Sequence, residues 1–236
     1  MIISPTKSQN RAIISYGMEI TVEKINKILK ALTNVREDLC ALNDDIWHNL
    51  DHSSIEEVQA ATSFQIQYIK LLDQFAQNSE EITALVSQFA GIKEEHVPII
   101  MDVNDSENER LIKELNKEEA HSLDEDFTYK HPHGFIVDGC AYSGFETWKD
   151  LYIQFCKHLS SQNTEKFDTL ARNQSLISKQ NRKYFSTNKK DLRCPELITN
   201  KTYVELNFSA NHFAKRIKEI AGIYKIDTTL ITIYLQ

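Results

Sequence analysis

The sequence predicts an α+β protein: a long antiparallel helical hairpin, then a small α+β domain with a mainly antiparallel sheet. Three observations predict it. First, apolar residues recur at Val22, Ile25, Ile28, Leu32, Val35, Leu39, Leu42 and Ile46; after the first step the spacing alternates between three and four, which is a heptad seam. Second, another such series runs Phe64, Tyr68, Leu71, Phe75, Asn78, Ile82, Leu85 and Phe89. Third, from residue 129 onward the chain changes to short alternating runs between helical stripes, the pattern of a small sheet packed with helices.

The 236 residues are 41% hydrophobic and 26% charged, ordinary for a globular chain. Six glycines and four prolines favour long regular elements. No apolar run approaches the length of a membrane span, and Met1 to Gly17 lacks the basic start and apolar core of a signal peptide. The expected compartment is the cytoplasm, with no membrane partner. The four cysteines, Cys40, Cys140, Cys156 and Cys194, include no C-x-x-C pair, so reduced packing thiols are expected. The net charge of −7 is unevenly spread. Residues 1–128 hold 11 Lys and Arg against 24 Asp and Glu; residues 129–236 hold 16 against 10. An acidic arm beside a basic head is the implied layout.

In chain order, residues 1–20 form a mixed lead-in. The hairpin occupies 21–91. Thr21 is the expected cap of the first helix and Gly91 the stop of the second. Between the helices, Ser53 with Glu56 and Ser54 with Glu57 each fit a capping box. At 1.5 Å per residue the helices reach about 45–55 Å. The second helix also carries apolar residues off its seam. Ile55, Val58, Ile66 and Ile69 are expected to form an interaction surface, packed on the C-terminal domain, on a second copy of the hairpin or on a partner protein.

Residues 92–128 read as an acidic linker with one short helix near Glu107 to Lys117; Asp102 to Asp126 alone holds ten acids and three bases. The α+β domain then spans 129–236. Phe135 to Val137 reads as a strand, Asp138-Gly139 as a turn and Ala141 to Phe145 as the hairpin partner. Thr147 caps a helix striped by Trp148, Leu151, Tyr152, Phe155 and Leu159. A second helix is expected near Thr164 to Leu170, and Lys183 to Phe185 as a short strand. Cys194-Pro195 reads as a helix stop. Thr202 to Leu206 is a strand, Ser209 the cap of a further helix, and Leu230 to Leu235 the closing strand.

Several of these runs together resemble a known module. Gly134-Phe-Ile-Val-Asp-Gly139, Thr147-Trp-Lys-Asp-Leu151, Tyr184-Phe-Ser186, Leu192-Arg193 and Tyr203-Val-Glu-Leu-Asn-Phe-Ser-Ala-Asn211 resemble a small C-terminal domain of bacterial restriction- and phage-defence-associated proteins. The resemblance covers the last hundred residues or so. It implies an accessory module beside DNA-acting enzymes, and it carries no catalytic residue over.

The polar constellations are few. Arg172, Lys179, Arg182, Lys183, Lys189, Lys190 and Arg193 stand against Asp191 alone, with Tyr184 and Phe185 interleaved. Such a segment can neutralise phosphates and stack bases of DNA or RNA; the competing reading is a solvated basic loop with both rings buried. His48 and His52 are spaced four apart beside Asp44, Asp45 and Asp51, and His131-Pro132-His133 places two rings on one side of an extended backbone. Both are more simply a polar helix end and a domain-boundary loop. Asp138, Glu146 and Lys149 outline the acid–acid–lysine set of a metal-dependent nuclease, but with helix rather than strand spacing; Glu205-Leu206-Asn207 has strand spacing and no lysine. No phosphate loop, nucleophile elbow or cofactor motif occurs. The expected function is a non-enzymatic assembly protein with a basic domain that contacts nucleic acid and no cofactor. The alternative is a metal-dependent nuclease or toxin effector.

Overall fold

A computed structural model describes residues 22–90, 105–179 and 181–236. The lead-in, the Thr21 cap, the Gly91 stop and the first stretch of the acidic linker, 92–104, lie outside the described residues.

Two helices, α1 (Val22–His48) and α2 (Ile55–Ala90), form the antiparallel hairpin. Ser54 restarts the chain: its Oγ accepts the Glu57 amide at 3.3 Å, while the Glu57 carboxylate turns to the Asp51 amide at 3.4 Å. This caps α2 through Ser54 rather than Ser53, whose hydroxyl is spent on Asp51. Midway along, Tyr68 Oη donates to the Leu39 carbonyl at 2.9 Å and fixes the level at which the helices meet.

The remainder is a head with two small antiparallel sheets. After α3 (Asp105–Leu115) come β1 (His121–Ser122), β2 (Pro132–Val137), β3 (Cys140–Ser143), α4 (Trp148–Gln162) and α5 (Thr164–Thr169). β4 (Phe185–Ser186), β5 (Pro195–Leu197), β6 (Tyr203–Glu205), α6 (Ala210–Tyr224) and β7 (Thr232–Leu235) follow. One sheet has the order β1-β7-β2-β3, the other β4-β6-β5. Asp138-Gly139 turns β2 into β3 with φ of 48° and 72°, the left-handed pair that a two-residue hairpin requires. The core lies between the sheets and the inner faces of α4 and α6, where Trp148, Phe155 and Phe213 are wholly buried. Thr147 caps α4 as expected, accepting the Asp150 amide at 3.0 Å.

Three expectations change. The acidic stretch before residue 129 is not all linker: β1 pairs with β7, and Leu123 and Phe127 enter the core. Phe127 meets Trp148 edge-on, with centroids 4.8 Å apart, so an apolar anchor outweighs the surrounding charges. Pro195 starts a strand instead of stopping a helix, its missing N–H being tolerable at a strand's first residue. The strand–helix–strand unit is also split between sheets. β6 joins β4 and β5, while β7 runs between β1 and β2.

Candidate functional site

The hairpin sits on the head through charge. On α1, Arg36, Glu37, Cys40 and Asp44 face inward at spacings of one, three and four, a stripe on one side of the helix. Arg36 is 4% exposed; its guanidinium donates to Cys194 Sγ at 3.1 Å and to the Leu206 carbonyl at 3.2 Å, and lies 3.9 Å from Glu80. Glu37 is 2% exposed and receives the first two amides of α4, Trp148 at 3.1 Å and Lys149 at 2.8 Å. A carboxylate there complements the positive end of the helix dipole. Burial nevertheless pushes its pKa up to about 7, against the lowering effect of those two amides and of Arg36.

From α2, Asp73 Oδ1 accepts Asn207 Nδ2 at 3.2 Å and lies 3.4 Å from the Arg193 guanidinium. Glu80 accepts the Cys194 thiol. At the rim, Lys30 meets Glu146 at 2.8 Å and Tyr129 Oη donates to Asp45 at 3.1 Å. Sequence reasoning misses this stripe; its only signal is a set of polar residues at 3.6-residue spacing beside the heptad seam.

The opposite side of the hairpin is apolar, and among the described residues nothing covers it. Ile28, Val35 and Leu42 of α1, and Phe64, Leu71, Ile82, Leu85 and Phe89 of α2, are each 40–67% exposed. At 100° per residue these rows lie roughly 150–170° round their helices from the head-facing stripe. The two predicted seams therefore do not close on one another. One edge of each, including Leu32, Leu39, Tyr68 and Phe75, is half-buried between the helices, and the other edge points outward. The helices pack through smaller side chains, with Ala61, Leu72 and Ala76 of α2 buried. The four off-seam residues do not form one patch. Ile55 and Ile66 are 72% and 68% exposed, Val58 is half-buried, and Ile69 lines a cleft against the head.

That cleft, about 380 Å³, lies between hairpin and head. Arg182, Lys183 and Arg193 line it together with Asp44, Ser209 and His212. The basic segment is thus partly drawn into structure. Lys183 pairs with Asp191 at 2.7 Å and Arg193 with Asp73. Arg172, Lys179, Arg182, Lys189 and Lys190 are exposed and form no salt bridge with a described residue. The interleaved rings are engaged in structure: Phe185 is in the core, and the half-buried Tyr184 carries the Arg216 guanidinium on one face, 4.1 Å above its centroid.

Ser209, His212 and Asp44 converge without forming a catalytic relay. Ser209 Oγ donates to Asp44 Oδ2 at 2.9 Å, and His212 Nδ1 lies 3.2 Å from the same oxygen and 3.0 Å from the hydroxyl. Acyl-transfer triads use opposite ring nitrogens for acid and nucleophile. Here one nitrogen faces both, and the hydroxyl proton is spent on the carboxylate.

The acid set outlined for a nuclease is dispersed. Glu205 accepts four backbone amides, from Arg193, Cys194, Leu206 and Asn207 at 2.7–3.0 Å. Asp138 Oδ2 sits at the Gln162 amide and 3.5 Å from His158. Glu146 is held by Lys30, and His133 faces Glu118 at 3.8 Å. His48 Nδ1 lies against the Asp44 carbonyl, and His52 meets the Trp47 ring. Among the described residues no group of three or more His, Cys, Asp or Glu side chains is placed to hold a metal ion. No cysteine is disulfide-bonded, and burial raises the thiol pKa of Cys40 to about 12 and of Cys194 to about 11, so neither is an activated nucleophile. Among the described residues no helix is long and apolar enough to cross a membrane.

Comparison of the chain with protein-family models, with curated proteins and with solved structures finds no match.

Proposed function

We propose that this chain is a non-enzymatic assembly protein whose hairpin is a docking arm held on the head. One observation carries the reading: the hairpin is mounted the wrong way round for stability alone. A hairpin kept only to complete a fold would turn its apolar rows toward the head and its charges toward water. This one buries Arg36 and Glu37 and leaves eight large apolar side chains of its two rows outside. Uncovered apolar area of that extent marks an interaction surface.

The basic residues without a salt bridge to a described residue, Lys179, Arg182, Lys189 and Lys190 above all, support a secondary contact with the phosphates of DNA or RNA. The C-terminal resemblance supports an accessory role beside a bacterial defence or restriction-type system. The test has two arms. Introducing Leu71→Glu with Phe89→Glu should abolish association with a partner or copy while leaving helical content unchanged. Incubating wild-type protein with DNA and RNA, with and without Mg²⁺ or Mn²⁺, should leave both intact. Metal-dependent cleavage would overturn the non-enzymatic reading in favour of a nuclease.

A further inference from the structure

We infer that the partner seated on the outer face of the hairpin is a second copy of this chain, packed by a two-fold axis into an antiparallel four-helix bundle. The inference rests on the docking reading above and specifies its occupant.

Heptad spacing selects a helical partner, because alternating steps of three and four present holes that only another helix's side chains fill. Two such rows lie side by side, on α1 and on α2, so the complementary surface is two helices wide. A hairpin supplies that width. Four of the five exposed α2 residues also match when the row is reversed: about a point between Ala76 and Gln77, Phe64 falls opposite Phe89 and Leu71 opposite Ile82, while Leu85 falls opposite Tyr68 of the half-buried inner edge. A two-fold interface requires such self-matching, since each residue i must suit the j that faces it. Asn78, exposed close to the axis, falls opposite Phe75 of the inner edge; a polar residue in a seam of this kind fixes register at a cost in stability.

The area agrees. Eight side chains that are each roughly half exposed offer about 800 Å² per copy, or about 1,600 Å² in the pair, the size of a standard stable interface. The α2 flank beside the row is mostly uncharged: it carries Ser63, Gln67, Gln74 and Gln88, with Lys70 against the two acids Glu56 and Glu81. The heads lie on the far sides of the two hairpins and do not obstruct.

The full-length chain should sediment as a dimer at micromolar concentration. Leu71→Glu or Ile82→Glu puts two charges into each dimer seam and should weaken association on the order of a hundredfold with unchanged circular dichroism. In a Cys140→Ser background, Asn78→Cys should give a covalent dimer with a short bismaleimide, whereas Lys113→Cys on α3 should not. A chain that stays monomeric but binds an apolar dye, with binding lost in Leu71→Glu, overturns the second-copy inference and leaves the docking reading standing. A monomer whose outer row is protected from solvent, by a segment of its own chain, overturns both. So does a dimer that both glutamate variants leave intact.

Discussion

Glu37 of α1 caps the first turn of α4 from a distant part of the chain: its Oε2 accepts the Trp148 amide at 3.1 Å across 111 residues of sequence. The carboxylate is 2% exposed, and burial raises its pKa to about 7 from an ordinary value near 4.5. A raised folded-state pKa means that the folded protein holds the proton more tightly than the unfolded chain. The associated stability is fully present below about pH 4.5 and is lost as pH rises through 7. Between pH 5 and 8.5, resistance of the wild type to urea should therefore fall by up to about 3 kcal/mol. Glu37→Gln should flatten that slope. Parallel pH profiles for the two proteins would assign the dependence to other groups.

Arg36 predicts a larger effect. Removing it leaves the Leu206 carbonyl unpaired and the neighbouring Glu37 without its nearest cation. Arg36→Ala should cost about 3–5 kcal/mol. Arg36→Lys should recover little, because one ammonium on a flexible stem cannot reproduce the two fixed donors that reach Cys194 and Leu206. Denaturant melts of both variants decide this, and full recovery by lysine would show that only the charge matters.

Ser209 and His212 should prove structural. Ser209→Ala should cost about 1 kcal/mol in thermal unfolding through the lost bond to Asp44. The wild type should hydrolyse an activated ester no faster than Ser209→Ala does. A serine-dependent rate would mean that the ring reorients in solution to a relay geometry.

Nucleic-acid contact, if made through phosphates, should be weak, sequence-independent and steeply salt-dependent. Charge reversal at Lys189 and Lys190 should abolish a low-salt gel shift of the full chain. Lys183 is unsuitable for that test because it is engaged by Asp191. A fragment of residues 129–236 is unsuitable too, since it would lack Leu123 and Phe127 of the core. Tyr184→Ala should destabilise the head through Arg216 without a selective effect on binding; a selective loss would restore base stacking as the mode.

The long elements are legible in the sequence because each carries its signal locally. Two heptad rows and a serine-led restart identify the hairpin, and Asp138-Gly139 between apolar runs identifies β2 and β3. What is not legible depends on partners far along the chain. Nothing near Arg36 or Glu37 announces that Leu206 and Trp148 will satisfy them, so the stripe reads as a solvated face. The same ambiguity turns the seams around: a heptad row says that a helix must bury an edge, not which neighbour will cover it. The basic segment is readable in composition only. Whether Tyr184 offers its ring depends on Arg216, thirty-two residues later. The acidic stretch misleads because its charge outweighs two apolar anchors, Leu123 and Phe127.

The bond from Arg36 to Leu206 spans 170 residues, and the strand that completes the first sheet, β7, enters between β1 and β2. A nascent chain therefore exposes the hairpin long before anything that holds it. The two helices can form early from local contacts, whereas the sheet must wait for its central strand. Until then the hairpin carries an apolar row on one side and unpaired charges on the other. Refolding should accordingly show fast helix formation followed by a slower docking phase. Arg36→Ala should leave the fast phase untouched, and the slow phase is the interval in which two unfinished chains could join through their hairpins.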